Sequence, residues 1–91
     1  MNYTVTWKPS AKERLAEIWM AAPDRPAVAS AANTIDRLLG EDPARQGESR
    51  SGTCRIMILE PLAVLYDVHE LDRVVEVLSL RHVPGRPQTG T

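Results

Sequence analysis

The sequence predicts an α+β domain in the order β-α-α-β-β-β, with a helical hairpin packed on one face of a small, mainly antiparallel sheet. Apolar residues recur every three or four positions between residues 10 and 39, which is typical of amphipathic helices. On both sides of this region they alternate or run together in short segments, which is typical of strands. Ninety-one residues, 43% of them hydrophobic and 25% charged, fit one small globular domain. Any chemistry in so small a domain would lie on an open face or groove.

The first strand and the first helix follow from residues 3–22. Aromatic and β-branched residues alternate with threonine over residues 3–7, which predicts a half-buried strand. Ser10 and Glu13 have the spacing of a capping box, so we expect the helix to start at Ser10 and to stop at Pro23. The apolar stripe of this helix consists of Ala11, Leu15, Ile18, Trp19 and Ala22. We therefore expect Trp19 to pack between the helix and the sheet.

A second helix begins directly afterwards. Asp24 is a favourable N-cap, and Pro26 falls in the first turn, where its missing N–H costs nothing. Gly40 suits the position just after the helix end, and the following Asp42-Pro43 pair also favours a stop. The apolar stripe of this second helix consists of Val28, Ala31, Ala32, Ile35, Leu38 and Leu39. The short link between the helices predicts an antiparallel hairpin.

The remaining chain predicts a loop and a three-stranded meander. Residues 43–53 are polar and rich in turn formers, which predicts an exposed loop. Strands are expected at residues 54–59, 62–68 and 74–80, joined by two tight connections. We expect the first strand to add to an edge of this meander. The domain then spans residues 1–83, followed by a flexible tail at residues 84–91 that is rich in Gly and Pro.

The orientation of the strand side chains determines which of them a ligand can reach. We expect Ile56 and Ile58 to face the helices, which leaves the intervening residues on the open face of the sheet. The residues expected on that open face are Arg55, Met57, Leu59 and Arg81, with Leu65 as a further candidate. An apolar patch beside an arginine favours a docked partner, so Met57, Leu59 and Leu65 are the predicted partner-binding residues.

Charge and cysteine content exclude several classes of protein. The net charge of −1 argues against a non-specific nucleic-acid binder, which normally has a strong basic excess. Cys54 is the only cysteine, so an internal disulfide and a cysteine-rich metal site are excluded, and we expect no metal and no cofactor. The N-terminus lacks the features of a signal peptide, and no apolar run reaches the roughly 20 residues that span a bilayer. We therefore expect a cytoplasmic protein that does not bind membranes.

The order of these elements resembles the RelE/ParE superfamily of toxins from type II toxin-antitoxin systems. The resemblance extends from Tyr3 to His82, nearly the whole chain. It is carried by residues 7–11 (Trp-Lys-Pro-Ser-Ala), 15–19 (Leu-Ala-Glu-Ile-Trp), 35–39 (Ile-Asp-Arg-Leu-Leu), 62–68 (Leu-Ala-Val-Leu-Tyr-Asp-Val) and 73–78 (Arg-Val-Val-Glu-Val-Leu). Their order and spacing, more than any single motif, carry the likeness.

The resemblance implies a toxin that a cognate antitoxin protein holds inactive. ParE-like members inhibit DNA gyrase, whereas RelE-like members cleave messenger RNA on the ribosome. We expect ParE-like inhibition of gyrase first and a RelE-like endoribonuclease as the alternative. A third possibility is a catalytically inactive, toxin-like interaction module. The pI near 6.1 favours it, and so does Ala63, near where RelE-like members have an arginine in the middle meander strand.

If the chain cleaves RNA, the resemblance implies a tentative catalytic set after the last strand and on the open face. His82 would transfer protons, because its ordinary pKa near 6.5 suits general acid–base work near neutral pH. Arg81 and Arg55 would stabilise the charge of the phosphorane, and Arg50 would bind the substrate backbone. No tyrosine is available near this position, so His82 is the only candidate there with a suitable pKa.

Overall fold

A computed structural model describes residues 2–83 of the chain, without the side chains of residues 50 and 51. The predicted tail at residues 84–91 lies outside the described residues. The elements are β1 (Thr4–Trp7), α1 (Pro9–Ala21), α2 (Arg25–Glu41), a 3₁₀ turn (Pro43–Arg45), β2 (Glu48–Ser51), β3 (Cys54–Leu59), β4 (Leu62–His69) and β5 (Val74–His82). In this part of the chain, no helix is long and apolar enough to cross a membrane.

The strands form one mixed sheet in the order β1-β5-β4-β3-β2. β1 is parallel to β5, and every other neighbouring pair is antiparallel. The N–H of Thr4 donates to the carbonyl of Arg73 at 2.9 Å, and the N–H of Lys8 donates to the carbonyl of Val77 at 3.0 Å. Both helices pack on one face of the sheet. The predicted α+β class, the helical hairpin and the edge position of the first strand are therefore confirmed.

β2 corrects the prediction of an exposed loop at residues 43–53. This polar segment begins with a 3₁₀ turn, and Glu48 then pairs with Ile56 of β3. Its composition resembles that of a loop because β2 is an edge strand, and a polar edge discourages pairing with other chains. Gly47 allows the entry into β2, because its φ of 63° lies in the left-handed region. A Cβ at this position would lie 2.0 Å from the carbonyl oxygen of Ile56.

The helix ends match the predictions in part. Asp24 caps α2 as expected, with its Oδ1 accepting from the N–H of Ala27 at 3.1 Å. The capping box predicted at Ser10 is wrong, because α1 begins one residue earlier with Pro9 as its first residue and no side-chain cap. The helix end predicted at Gly40 is also wrong, since α2 continues to Glu41. The Gly40 carbonyl instead accepts from the N–H of Tyr3 at 2.7 Å and ties β1 to α2.

The core lies between the helices and one face of the sheet, which we call the helix-covered face. Its fully buried side chains include Val28, Ile35 and Leu39 from α2, Leu62, Val64 and Tyr66 from β4, and Val75 and Val77 from β5. The register between β4 and β5 shifts after Val77, which leaves Leu78 out of the pairing. Because of this bulge, Leu80 also faces the core, with 5% of its surface exposed.

Trp19 does not lie in the core, so that prediction is wrong. Its side chain is 40% exposed, and the guanidinium of Arg25 lies 4.7 Å from the centre of its ring. The reason is the rotation of α1, which turns Ala11 and Ile18 toward the sheet and leaves Trp19 at the margin of the stripe. Trp7 is half-buried against the core, and its indole N–H donates to Asp36 at 3.1 Å.

Candidate functional site

The side chains of β3 face opposite to the prediction. Met57 is buried, with 6% of its surface exposed, whereas its neighbour Ile58 is 61% exposed. Met57 pairs with Val64, which is fully buried in the core. Because β3 has apolar residues on both faces, its sequence does not define which face is covered. The expected exposed patch of Met57 and Leu59 is therefore wrong, since both pack into or against the core.

Arg55 also faces the helix-covered side, so its expected place on the open face is wrong. Its Nε donates to the carbonyl of Gln46 at 3.0 Å, and its Nη2 donates to the carbonyl of Gly47 at 3.2 Å. The hydroxyl of Tyr66, the cross-strand neighbour of Arg55, lies 2.6 Å from the same Gln46 carbonyl and 2.9 Å from that of Pro43. Burial raises the pKa of Tyr66, and the nearby Arg55 opposes that shift. Both side chains hold the turn that leads into β2.

The open face has an apolar centre with Arg81 at its side. Ala63 of β4 is 3% exposed and has Ile58 on one side and Arg81 on the other as cross-strand neighbours. The next row across the strands is Ile56, Leu65 and Ser79. A shallow cavity of about 250 Å³ is lined by Ile56, Ala63, Leu65, Ser79, Leu80 and Arg81. Among the described residues, Arg81 makes no ion pair, so its charge is available beside an apolar surface.

His82 lies on the other side of the sheet from Arg81, because consecutive residues of a strand face opposite ways. Its side chain lines a cavity of about 430 Å³ between the helix connection, at Pro23, and the β3–β4 turn, at Pro61. Arg81, His82 and Arg55 therefore occupy three separate places, and the structure does not bring the predicted catalytic set together. Arg50 lies in β2, but its side chain is outside the described residues.

A polar cluster near the β4–β5 turn was not anticipated from the sequence. Thr53 donates a hydrogen bond to one carboxylate oxygen of Asp67, and Nε2 of His69 lies 3.5 Å from the other. Glu76 is the cross-strand neighbour of Asp67 on β5. The hydroxyl of Thr53 thus stabilises one of two neighbouring carboxylates. Across residues 2–83, no group of three or more His, Cys, Asp or Glu side chains is arranged to hold a metal ion.

The outer side of the helix layer carries a second apolar surface, which we call the helix groove. It is lined by Lys12, Leu15, Ala16, Trp19, Val28, Ala29, Ala32 and Asn33 and has a volume of about 410 Å³. The sequence contains a signal for this surface, because the small side chains of Ala29 and Ala32 leave a hollow beside the large ring of Trp19.

Comparisons with known proteins connect this fold to bacterial and archaeal toxins. No protein-family model matches the chain, and no curated protein matches it. Among solved structures, the RelBE2 toxin-antitoxin complex of Mycobacterium tuberculosis superposes with a TM-score of 0.74 at 19% identity, covering 90% of this chain and 99% of the other. The RelE-RelB complex of Pyrococcus horikoshii gives 0.66 at 18% identity, with 90% and 96% covered.

A ParDE toxin-antitoxin system of P. aeruginosa also matches, with a TM-score of 0.62 at 16% identity and coverage of 90% of this chain and 97% of the other. The chain therefore has the RelE/ParE toxin fold, and the predicted resemblance is confirmed at the level of the fold. RelE-type and ParE-type complexes both match at less than 20% identity, so the fold does not separate their two mechanisms.

Proposed function

We propose that this chain, which has the fold of RelE and ParE toxins, is the toxin of a cytoplasmic type II toxin-antitoxin system that a cognate antitoxin holds inactive. We further propose that it acts by binding a protein target, DNA gyrase, as ParE-like toxins do. The observation that carries the second proposal is the composition of the open face, an apolar centre with Arg81 at its side.

This face is suited to docking a protein. The centres of protein interfaces combine apolar side chains with arginine and exclude most other charges. Ile58 is 61% exposed and shares the face with Leu65 and Arg81. Of the residues predicted to bind a partner, Leu65 is the one that fits this proposal.

The same arrangement disfavours the RelE-like endoribonuclease. Cleavage next to a 2′-hydroxyl needs a base, an acid and cations around one phosphate. Arg81 is on the open face, whereas His82 and Arg55 are on the helix-covered side. The guanidinium of Arg55 is also engaged with two backbone carbonyls, and using it in catalysis would break those hydrogen bonds.

The experiment compares supercoiling with translation. The wild-type protein, induced in a bacterial host that lacks its cognate antitoxin, is expected to stop growth and to reduce plasmid supercoiling while messenger RNA stays intact. In a purified gyrase assay, Ile58→Asp and Arg81→Ala should each lower potency at least about 10-fold, the equivalent of about 1.4 kcal/mol. Arg14→Ala, which removes an exposed arginine from the helix layer, is the control and should leave potency unchanged.

Two results would replace this proposal. Cleaved messenger RNA with normal supercoiling, lost on His82→Ala, would establish the endoribonuclease. Absence of toxicity in every host, with a partner still bound, would establish the inactive interaction module.

A further inference from the structure

We propose that the open face binds an amphipathic helix of the target that carries opposite charges at its two ends. A carboxylate of that helix pairs with Arg81, and a lysine or arginine pairs with Asp67 and Glu76. The inference rests on the proposed function, because the helix would belong to the gyrase target. It adds the charge pattern and the direction of the bound segment, which the apolar centre alone does not define.

A bulge in β5 places the opposite charges on one face. Glu76 and Arg81 are five residues apart, and residues at an odd spacing on a regular strand face opposite sides of the sheet. Leu78 is the additional residue at the register shift between β4 and β5. On one side of the shift, Glu76 is paired with Asp67. On the other side, Arg81 is paired with Ala63. Without the bulge, one of the two charges would lie under the helices.

The acidic end of the open face consists of Asp67 and Glu76. Asp67 lies between Tyr66 and Val68 on β4, and both of these are in the core, so the carboxylate of Asp67 is on the open side. Apart from the imidazole of His69, 3.5 Å from Asp67, neither carboxylate has an ion-pair partner among residues 2–83. Adjacent carboxylates repel each other, and a cation supplied by a partner would relieve that repulsion.

The acidic end and Arg81 are separated by an apolar stretch. The four residue steps along β4 from Ala63 to Asp67 span about 13 Å, too far for an ion pair between the two ends. Leu65 lies midway and lines the shallow cavity of the open face. A ligand that meets both ends must therefore lie along β4 and present apolar side chains at its middle.

A helix fits this face because it satisfies its own backbone hydrogen bonds. The backbones of β3, β4 and β5 are already paired within the sheet, so a segment on the face finds no strand to join. Helical residues seven or eight positions apart lie on one side, about 10–12 Å from each other, and extended side chains cover the remaining distance.

The charges also define the direction and the class of the partner. Reversing the helix would bring like charges together at both ends, which fixes one orientation. A nucleic acid would bring its phosphates against Asp67 and Glu76 as well as Arg81. The open face is therefore better matched to a protein segment with both signs of charge than to a polyanion.

The test measures the affinity of the purified protein for purified DNA gyrase by calorimetry, together with inhibition of supercoiling. Glu76→Lys should weaken binding at least about 10-fold, because it brings like charges together, and Glu76→Gln should weaken it about 3-fold. Glu13→Lys is the matched control, since it makes the same change of net charge at an exposed position of α1, and it should change affinity less than about 2-fold. Circular dichroism and thermal melts show whether each variant is folded, and Glu76→Gln decides if Glu76→Lys is not.

A double variant tests whether the two ends bind separate groups of the target. Arg81→Ala and Glu76→Gln change sites about 13 Å apart, so their losses of affinity should multiply to within about 2-fold. A double variant that binds as well as Arg81→Ala alone would show that the acidic end does not touch the target, which overturns the inference.

The outcomes separate this inference from the proposed function. Unchanged affinity in both Glu76 variants, with weakened binding in Arg81→Ala, overturns the two-ended helix and leaves the gyrase proposal standing. A single-stranded RNA of about 20 nucleotides is the second probe; if it binds the wild type more tightly than gyrase does, and Glu76→Lys more tightly still, the face holds a polyanion and the inference is wrong. A wild type that neither binds nor inhibits gyrase overturns the proposed function, and this inference with it.

Discussion

The two faces of the sheet have similar apolar residues and different surroundings. On the helix-covered face, Leu62, Val64 and Tyr66 of β4 are fully buried, and Arg55 is held by backbone carbonyls. On the open face, Ile58 is 61% exposed, and Arg81 makes no ion pair among the described residues.

This difference shows that the role of a strand residue depends on the layer that covers it more than on its chemical type. Two arginines of the same sheet have different tasks because one is under the helices and the other is not. Covered residues stabilise the fold, and uncovered ones are available to a partner. Mutations of paired residues on the two faces test this distinction.

The largest effect is expected from Met57→Lys. An ammonium group placed at this buried position has no carboxylate partner, and the free energy of unfolding should fall by about 4 kcal/mol or more, enough to unfold much of the protein. Ile58→Lys, the adjacent residue on the open face, should change it by less than about 0.5 kcal/mol. Urea denaturation followed by circular dichroism measures both, and equal losses would contradict the assignment of faces.

The helix layer has the same contrast between its inner and outer sides. Ile35→Ala should lower the free energy of unfolding by about 2–5 kcal/mol, because it leaves a cavity at a fully buried position of α2. Trp19→Ala should cost only about 1 kcal/mol, since it removes a half-exposed ring and its contact with Arg25. Thermal melts of the two variants measure the difference. A larger loss of stability in Trp19→Ala than in Ile35→Ala would contradict the half-exposed position of the ring.

Removing Arg55 from the helix-covered face should cost more stability than removing Arg81 from the open face. Arg55→Ala should cost about 1–3 kcal/mol, because the carbonyls of Gln46 and Gly47 lose their charged donor. Arg81→Ala should leave stability within about 0.5 kcal/mol. Guanidinium denaturation of both variants, with Arg55→Lys to separate charge from the planar geometry of the donor, measures the difference. Equal stability of the two alanine variants would contradict it.

Among the substitutions on the helix-covered face of the sheet, Tyr66→Phe is expected to have the smallest effect. The hydroxyl of Tyr66 interacts with two carbonyls, so its removal should cost about 1–2 kcal/mol near neutral pH. The folded state raises the pKa of Tyr66 above its ordinary value near 10, chiefly by burial. The stability contributed by the protonated form is therefore complete below pH 10 and declines as the pH rises above it.

The pH dependence needs a background without Tyr3, because a hydrogen bond with Glu70 also raises the pKa of Tyr3. In Tyr3→Phe protein, the free energy of unfolding should fall as the pH rises above about 10, and adding Tyr66→Phe should flatten that fall. Identical pH profiles in the single and double variants would show that the Tyr66 pKa is not raised.

Apart from β2, the element order was predictable because it depends on local patterns. The helix periodicity, the Asp24 cap and the tight connections between β3, β4 and β5 all act within a few residues. Two predictions of helix ends were wrong. Pro9, and not a capping box at Ser10, starts α1. α2 extends past Gly40, whose carbonyl accepts a hydrogen bond from Tyr3. β2 was not predicted, because an exposed edge strand has no apolar face and therefore no alternation of apolar and polar residues.

The predicted site residues separated because their positions depend on contacts across the sheet. Arg81 was placed correctly on the open face, whereas Arg55 was not, since β3 has apolar residues on both faces and its orientation depends on Met57 meeting Val64. The helix groove was not predicted, because Trp19 belongs to the apolar stripe of α1 and the whole stripe was expected in the core. Trp19 lies at the margin of that stripe and is 40% exposed.

Apart from β2, the sequence by itself determined the order of strands and helices, the α+β class and the likeness to a family of toxins, because hydrophobic periodicity depends on residues that are close together in the chain. Only the tertiary structure decided which face of β3 is covered, where Trp19 lies and which arginine is available. Those features follow from the rotation of α1, the bulge at Leu78 and the pairing of β3 with β4. Each is set by residues far apart in the chain, and so the chemistry of the surface was decided by packing.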